Sequence, residues 1–173
     1  MADTKVSELA EITNPALTDL LYVVADPGGT PASKKATLAN FKLAIGFGAL
    51  TDWTPSITQS VSVSKTVTYA KYYTIGPLMY ICALMSITGA GTGNNNIFIG
   101  NLPAQPASNG VYGTAWILNN GTAYYHGPAY YTTGAGGAFY FICHLEVAGC
   151  GIDPNFALAS SDMIAFCALY PTA

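Results

Sequence analysis

The chain has no arginine, and its six lysines are scattered rather than gathered. Binding nucleic acid through its phosphates needs a basic patch, so no nucleic-acid partner is expected. Charge of either sign is scarce: 9% of residues are Asp, Glu, Lys or Arg, and Tyr72 to Leu145 contains none of them. An ordinary soluble domain is about 25% charged. Long apolar runs are missing too. The densest, "LMYICALM" (Leu78–Met85), falls well short of the roughly 18 residues that a spanning helix needs. No membrane partner is expected, and "MADTKVSELAEIT" lacks the basic start and apolar middle of a signal peptide. A chain this poor in charge that does not enter a membrane is expected to hide much of its surface against copies of itself.

Several chemical motifs are also absent. No C-x-x-C pair is present, as zinc sites commonly require, and Cys143–His144 are strand neighbours whose side chains point to opposite faces. No metal is expected. Cys82, Cys143, Cys150 and Cys167 allow three pairings; three of them sit in apolar runs, where a reduced thiol packs as a small hydrophobe. There is no G-x-S-x-G elbow. "TGAGTGNNN" (Thr88–Asn96) lacks the lysine and the helix of a phosphate loop, so it reads as an inter-strand loop. Carboxylates beyond Tyr72 are limited to Glu146, Asp153 and Asp162. Asp153 lies in a turn-like "GIDPNF", and Glu146 shares a polar strand face with His144. A carboxylate pair for glycoside hydrolysis is the enzymatic alternative. The expectation is no enzyme, no catalytic residue and no cofactor.

The 173 residues that are present divide into three parts. Residues 1–46 hold most of the charge, with a strand at Leu20–Ala25, a turn at "DPGGTP" and Thr37 capping a short helix, Leu38–Ile45, that stops at Gly46. So small a fragment cannot offset its chain entropy by its own burial, so it must dock on something. Residues 47–60 read as a linker with Trp53 as an anchor. Residues 61–173 read as β throughout. "VSVSKTVTY" alternates apolar and polar residues like a half-buried strand. "LMYICALMSIT" is apolar at both parities, which asks for a partner surface on each face. "NIFIGNL", "VYGTAWIL", "TAYYH", "AFYFICHLEV" and "DMIAFCALY" supply further strands. Asn120-Gly121 is the strongest hairpin signal, of type I′. The expected fold is mainly β, an antiparallel sandwich or barrel.

"AYYHGPAYY" sets Tyr124, Tyr125, His126, Tyr130 and Tyr131 around a Gly-Pro turn. Tyrosine combines area with a hydroxyl and suits binding surfaces, including sugar rings. The same rings would equally serve a core and a neighbouring subunit.

Two segments resemble a known group of proteins. "TKVSEL…NPALTDLLYVVADPGGTPASKKATLANF" (Thr4–Phe41) resembles the short N-terminal module of bacteriophage fibre and appendage proteins. The pattern K-[IV]-S-E-L, D-L-L-x-V-V-D and K-K-x-T-L is met by Lys5–Leu9, Asp19–Val24 with Asp26, and Lys34, Lys35, Thr37 and Leu38; Ala25 interrupts the V-V-D string. Trp53–Pro103 is similar to compact β-sandwich tips of phage fibres and head decorations, through Tyr72, Ile75 and Gly76 and then Leu102 and Pro103. Pro77 departs from that pattern. The resemblance implies a virion location and a homotrimer with a jelly-roll-like head. It implies attachment to another virion protein (tail or major capsid protein) through Leu9, Leu20, Leu21, Val23, Leu38 and Phe41. A host surface glycan would be met by Tyr124, Tyr125, His126, Tyr130 and Tyr131. The alternatives are a capsid decoration protein and a virion-bound glycan hydrolase.

Overall fold

The computed structural model describes residues 18, 20–25, 32–40, 48–143 and 148–173. The chain forms two units, Met1–Phe47 and Gly48–Ala173.

In the first unit β1 (Leu20–Ala25) pairs antiparallel with β2 (Ala32–Thr37), from Leu20 opposite Thr37 to Ala25 opposite Ala32. The strand expected at Leu20–Ala25 is present. Residues 38–40 are helical, and Thr37 Oγ1 accepts the Asn40 N–H at 3.1 Å, as a capping side chain does. The "DPGGTP" turn and the rest of the expected helix lie outside the described residues.

The second unit is mainly β, as expected, and its strand pairs are antiparallel. Among the described residues, ten strands follow the order β3-β6-β7-β12-β9-β10-β11-β8-β4-β5. They are β3 (Thr51–Asp52), β4 (Ser56–Gln59), β5 (Val61–Ser62), β6 (Lys65–Ile75), β7 (Leu78–Ile87), β8 (Phe98–Gly100), β9 (Gly110–Asn119), β10 (Ala123–Thr132), β11 (Ala138–Phe141) and β12 (Met163–Pro171). The stretch Thr51–Gln59 pairs with β6 near one end of this order and with β8 near the other. Consecutive residues thus hold opposite ends of one sheet, which curls round a single core. Phe139 lies at the centre, with ring centroids 5.5 Å from Tyr131, 5.1 Å from Phe166 and 5.7 Å from Tyr170. Ile57 from β4, Ile81 and Met85 from β7 and Ile117 from β9 join the same cluster.

Several expectations change. Residues 51–59, read as linker, are part of the sheet: Ile57 is 1% exposed and Gln59 is fully buried. "VSVSKTVTY" is two strands with a break at Val63–Ser64. Val63 is buried, whereas Val61, Val67 and Tyr69 are exposed. Alternation fails because β5 and β6 lie towards opposite ends of the sheet order. The Gly127-Pro128 turn does not exist, since β10 runs straight through it. Gly127 is needed because a Cβ there would collide with the Ile142 carbonyl oxygen, where the residue after β11 packs against β10. The Asn120-Gly121 hairpin forms, but only Gly121 has positive φ, at 78°. Asn120 stays out of the left-handed region, so the turn is not type I′, and its N–H donates to Asp162 Oδ1 at 2.8 Å.

The cysteines are bonded rather than reduced. Cys82 and Cys167 are direct partners across β7 and β12, with Cα atoms 4.1 Å apart, and they lie on the outward face rather than in the core. Cys143 pairs with Cys150, and both are buried.

Candidate functional site

β7 shows how the sheet divides its side chains. Met79, Ile81, Ala83, Met85 and Ile87 point into the core, while Leu78, Tyr80, Cys82, Leu84 and Ser86 face outward and stay half-buried in the single chain. This is the period of two expected of a strand, but the outward set is nearly as apolar as the inward one. The ladders carry that character across five strands. One row reads Tyr69, Leu84, Ala165, Trp116, His126, from β6 through β7, β12 and β9 to β10. The next reads Lys71, Cys82, Cys167, Thr114, Pro128, and on the other side lies Thr66, Ser86, Met163, Leu118, Tyr124. Lys71 and His126 are the ionisable side chains in these three rows, apart from tyrosine hydroxyls. Lys71 sits at the β6 margin and pairs with Asp52 at 2.5 Å. The centre of the face carries no charge.

The face is dished. Ala165 is small where its row neighbours Leu84 and Trp116 are large, and a hollow of about 300 Å³ opens over it, lined by Thr114, Trp116, His126, Gly127 and Cys167. Trp116 stacks on Tyr124 with centroids 5.3 Å apart and planes at 29°. Tyr124 is 67% exposed, the most of any large apolar side chain described.

The five residues expected to contact a receptor do not form one patch, because a continuous strand sends them to alternate faces. Tyr124, His126 and Tyr130 point outward. Tyr125 packs inward on Phe156, centroids 5.0 Å apart. Tyr131 is buried and donates its hydroxyl proton to Gln105 Oε1 at 2.5 Å, so it is withdrawn from any receptor. Tyr130 instead belongs to a separate row with Tyr140 and Phe98 on β11 and β8, at centroid spacings of 5.3 and 5.9 Å. Of the attachment residues, Leu20, Leu21 and Val23 lie on β1 and Leu38 in the helical turn, while Leu9 and Phe41 lie outside the described residues.

Carboxylate chemistry has little to work with among the described residues. Asp162 is 1% exposed and accepts the N–H groups of Asn120 and Ala159, each at 2.8 Å, which ties the β9–β10 hairpin to the loop before β12. The His144–Glu146 pair lies outside the described residues. Among those described, no three His, Cys, Asp or Glu side chains gather to hold a metal ion, and no helix is long and apolar enough to cross a membrane.

No known family, curated protein or solved structure matches the chain.

The sequence reading missed Trp116, Leu84, Ala165, Met163, Leu118 and Leu169 as one surface. The signal was present, since "VYGTAWIL" and "DMIAFCALY" are, like β7, apolar at both parities. Only the register shows that these second faces coincide.

Proposed function

We propose that the chain is a bacteriophage virion structural protein. In this reading it is a homotrimeric fibre- or spike-type subunit, anchored by its N-terminal unit and presenting a jelly-roll-like β head to the host surface. The observation that carries this reading is the division into a small unit, Met1–Phe47, and a self-contained β unit, Gly48–Ala173. A lone two-stranded hairpin is marginal in water, so a unit built on β1 and β2 is suited to docking on a larger body. The motifs of Thr4–Phe41 resemble those of virion attachment modules. For contact with a host glycan, the row Tyr130, Tyr140, Phe98 offers aromatic faces for sugar rings.

One observation favours capsid decoration as a second reading. The sequence holds no heptad, collagen-like or β-helix repeat from which a shaft could be built. Imaging of purified particles with the chain labelled tests both readings. A few trimers at the tail support the fibre, and a copy number matching the capsid lattice supports decoration. Absence from purified particles overturns both.

A further inference from the structure

We propose that the outward face of β6, β7, β12, β9 and β10 is an interface between copies of this chain, centred on the hollow over Ala165. The proposal rests on the self-association in the reading above and names the surface responsible.

Three observations support a second copy as the occupant. First, size: five strands at ~4.8 Å spacing and about eight residues at ~3.4 Å rise make a face on the order of 650 Å². Against an equal area of a neighbour it removes ~1,300 Å² from water, within the ~1,200–2,000 Å² of standard stable interfaces. Second, composition: Leu84, Leu118, Met163, Trp116 and Tyr124 surround an uncharged centre, and Lys71 with its Asp52 partner sits at the rim. Interfaces have this distribution, with aromatic and Met enrichment at the core and charge pushed outward. Third, the rest of the chain: no Asp, Glu, Lys or Arg occurs from Tyr72 to Leu145. A surface built for permanent cover by its own kind needs no such groups. A lipid surface would be met instead by a Lys- or Arg-rich margin, and arginine is absent.

The two tryptophans supply a readout that requires no mutation. Trp53 is 9% exposed within the single chain, whereas Trp116 lies half-buried on the outward face. In the full-length assembly both indoles should resist acrylamide quenching. Leu84→Glu and Ala165→Glu each place a charge at the centre of the face. They should yield folded single chains, by light scattering and far-ultraviolet circular dichroism, with Trp116 now quenched. Val61→Lys, on β5 and 48% exposed, should leave the assembly intact. If the unmutated chain is a single copy, the self-association reading and this proposal both fall. If it assembles but both Glu variants keep the full mass and a shielded Trp116, only the choice of face falls. Should the variants not fold, the unmutated assembly decides: an indole quenched like a surface tryptophan overturns the proposal, and a shielded one supports it.

Discussion

Replacing Gln59 by leucine should lower the melting temperature of the β unit by more than any surface change. Gln59 is fully buried on β4, and its amide joins three strangers in sequence. Nε2 donates to the Phe156 carbonyl at 2.7 Å and to the Asn95 carbonyl at 3.2 Å, while Oε1 accepts the Leu158 N–H at 2.8 Å. One side chain thus fastens the loop after β7 and the loop before β12 onto the strand that helps close the sheet. Gln59→Leu keeps the volume, so little cavity cost is added, but all three bonds go. An orphaned buried N–H costs about 1–3 kcal/mol, and each lost bond to a partly wetted carbonyl ~0.5–1.5 kcal/mol. Mid-range values sum to about 4 kcal/mol. For a domain of this size, each kcal/mol shifts the melting temperature by roughly 3–5 °C, so a fall of about 12–20 °C is expected. Thermal circular dichroism of both proteins at one concentration reads it, since assembly makes melting concentration-dependent. Gln59→Glu keeps the acceptor, removes both donors and buries a charge, so it should be no better. A Gln59→Leu protein melting within about 3 °C of the parent would refute the reasoning.

Further outcomes can be measured the same way. Gly127→Ala drives a Cβ into the Ile142 carbonyl oxygen; it should cost about 3 kcal/mol, the upper range for overpacking, and a neutral result in denaturant melts would contradict the close backbone packing there. Burial holds the Tyr170 hydroxyl well above the ordinary tyrosine range, with Tyr131 adding to the effect. The unfolded chain therefore releases that proton first, and stability should be intact below pH ~10 and fall as pH rises past it. Tyr170→Phe should flatten this alkaline limb, although it loses the bond to the Ala104 carbonyl at 3.0 Å. With both disulfides formed, thiol titration of the denatured, unreduced protein should find no free cysteine; four free thiols would contradict the pairing. Reduction opens the 85-residue Cys82–Cys167 loop, worth ~4–5 kcal/mol by chain entropy, and should lower the melting temperature sharply.

What the sequence made legible is local. β1 is marked by a clean apolar run, the β9–β10 hairpin by Asn120-Gly121, and β7 by apolar residues at both parities. β3 and β4 were lost in the expected linker because two to four residues are too few to display a period, even though Ile57 and Gln59 were present to be buried. Gly127-Pro128 resembles a turn because the dipeptide usually is one, whereas here the glycine makes room for the Ile142 backbone, which nothing in the local sequence announces. Cys82 and Cys167 fell into apolar runs and were read as core. Their outward orientation depends on register, and apolar residues at both parities leave the inward face ambiguous. The candidate surface was half visible for the same reason: the need for a second partner could be read from β7, but its extent could not.

The central claim is that copies of the chain cover the uncharged face of this sheet. Light scattering on the full-length, unmutated protein across its soluble concentration range tests it most directly. The account predicts three times the chain mass throughout, with both tryptophans shielded from quencher. A stable, soluble single-chain mass with Trp116 open to quencher would contradict it.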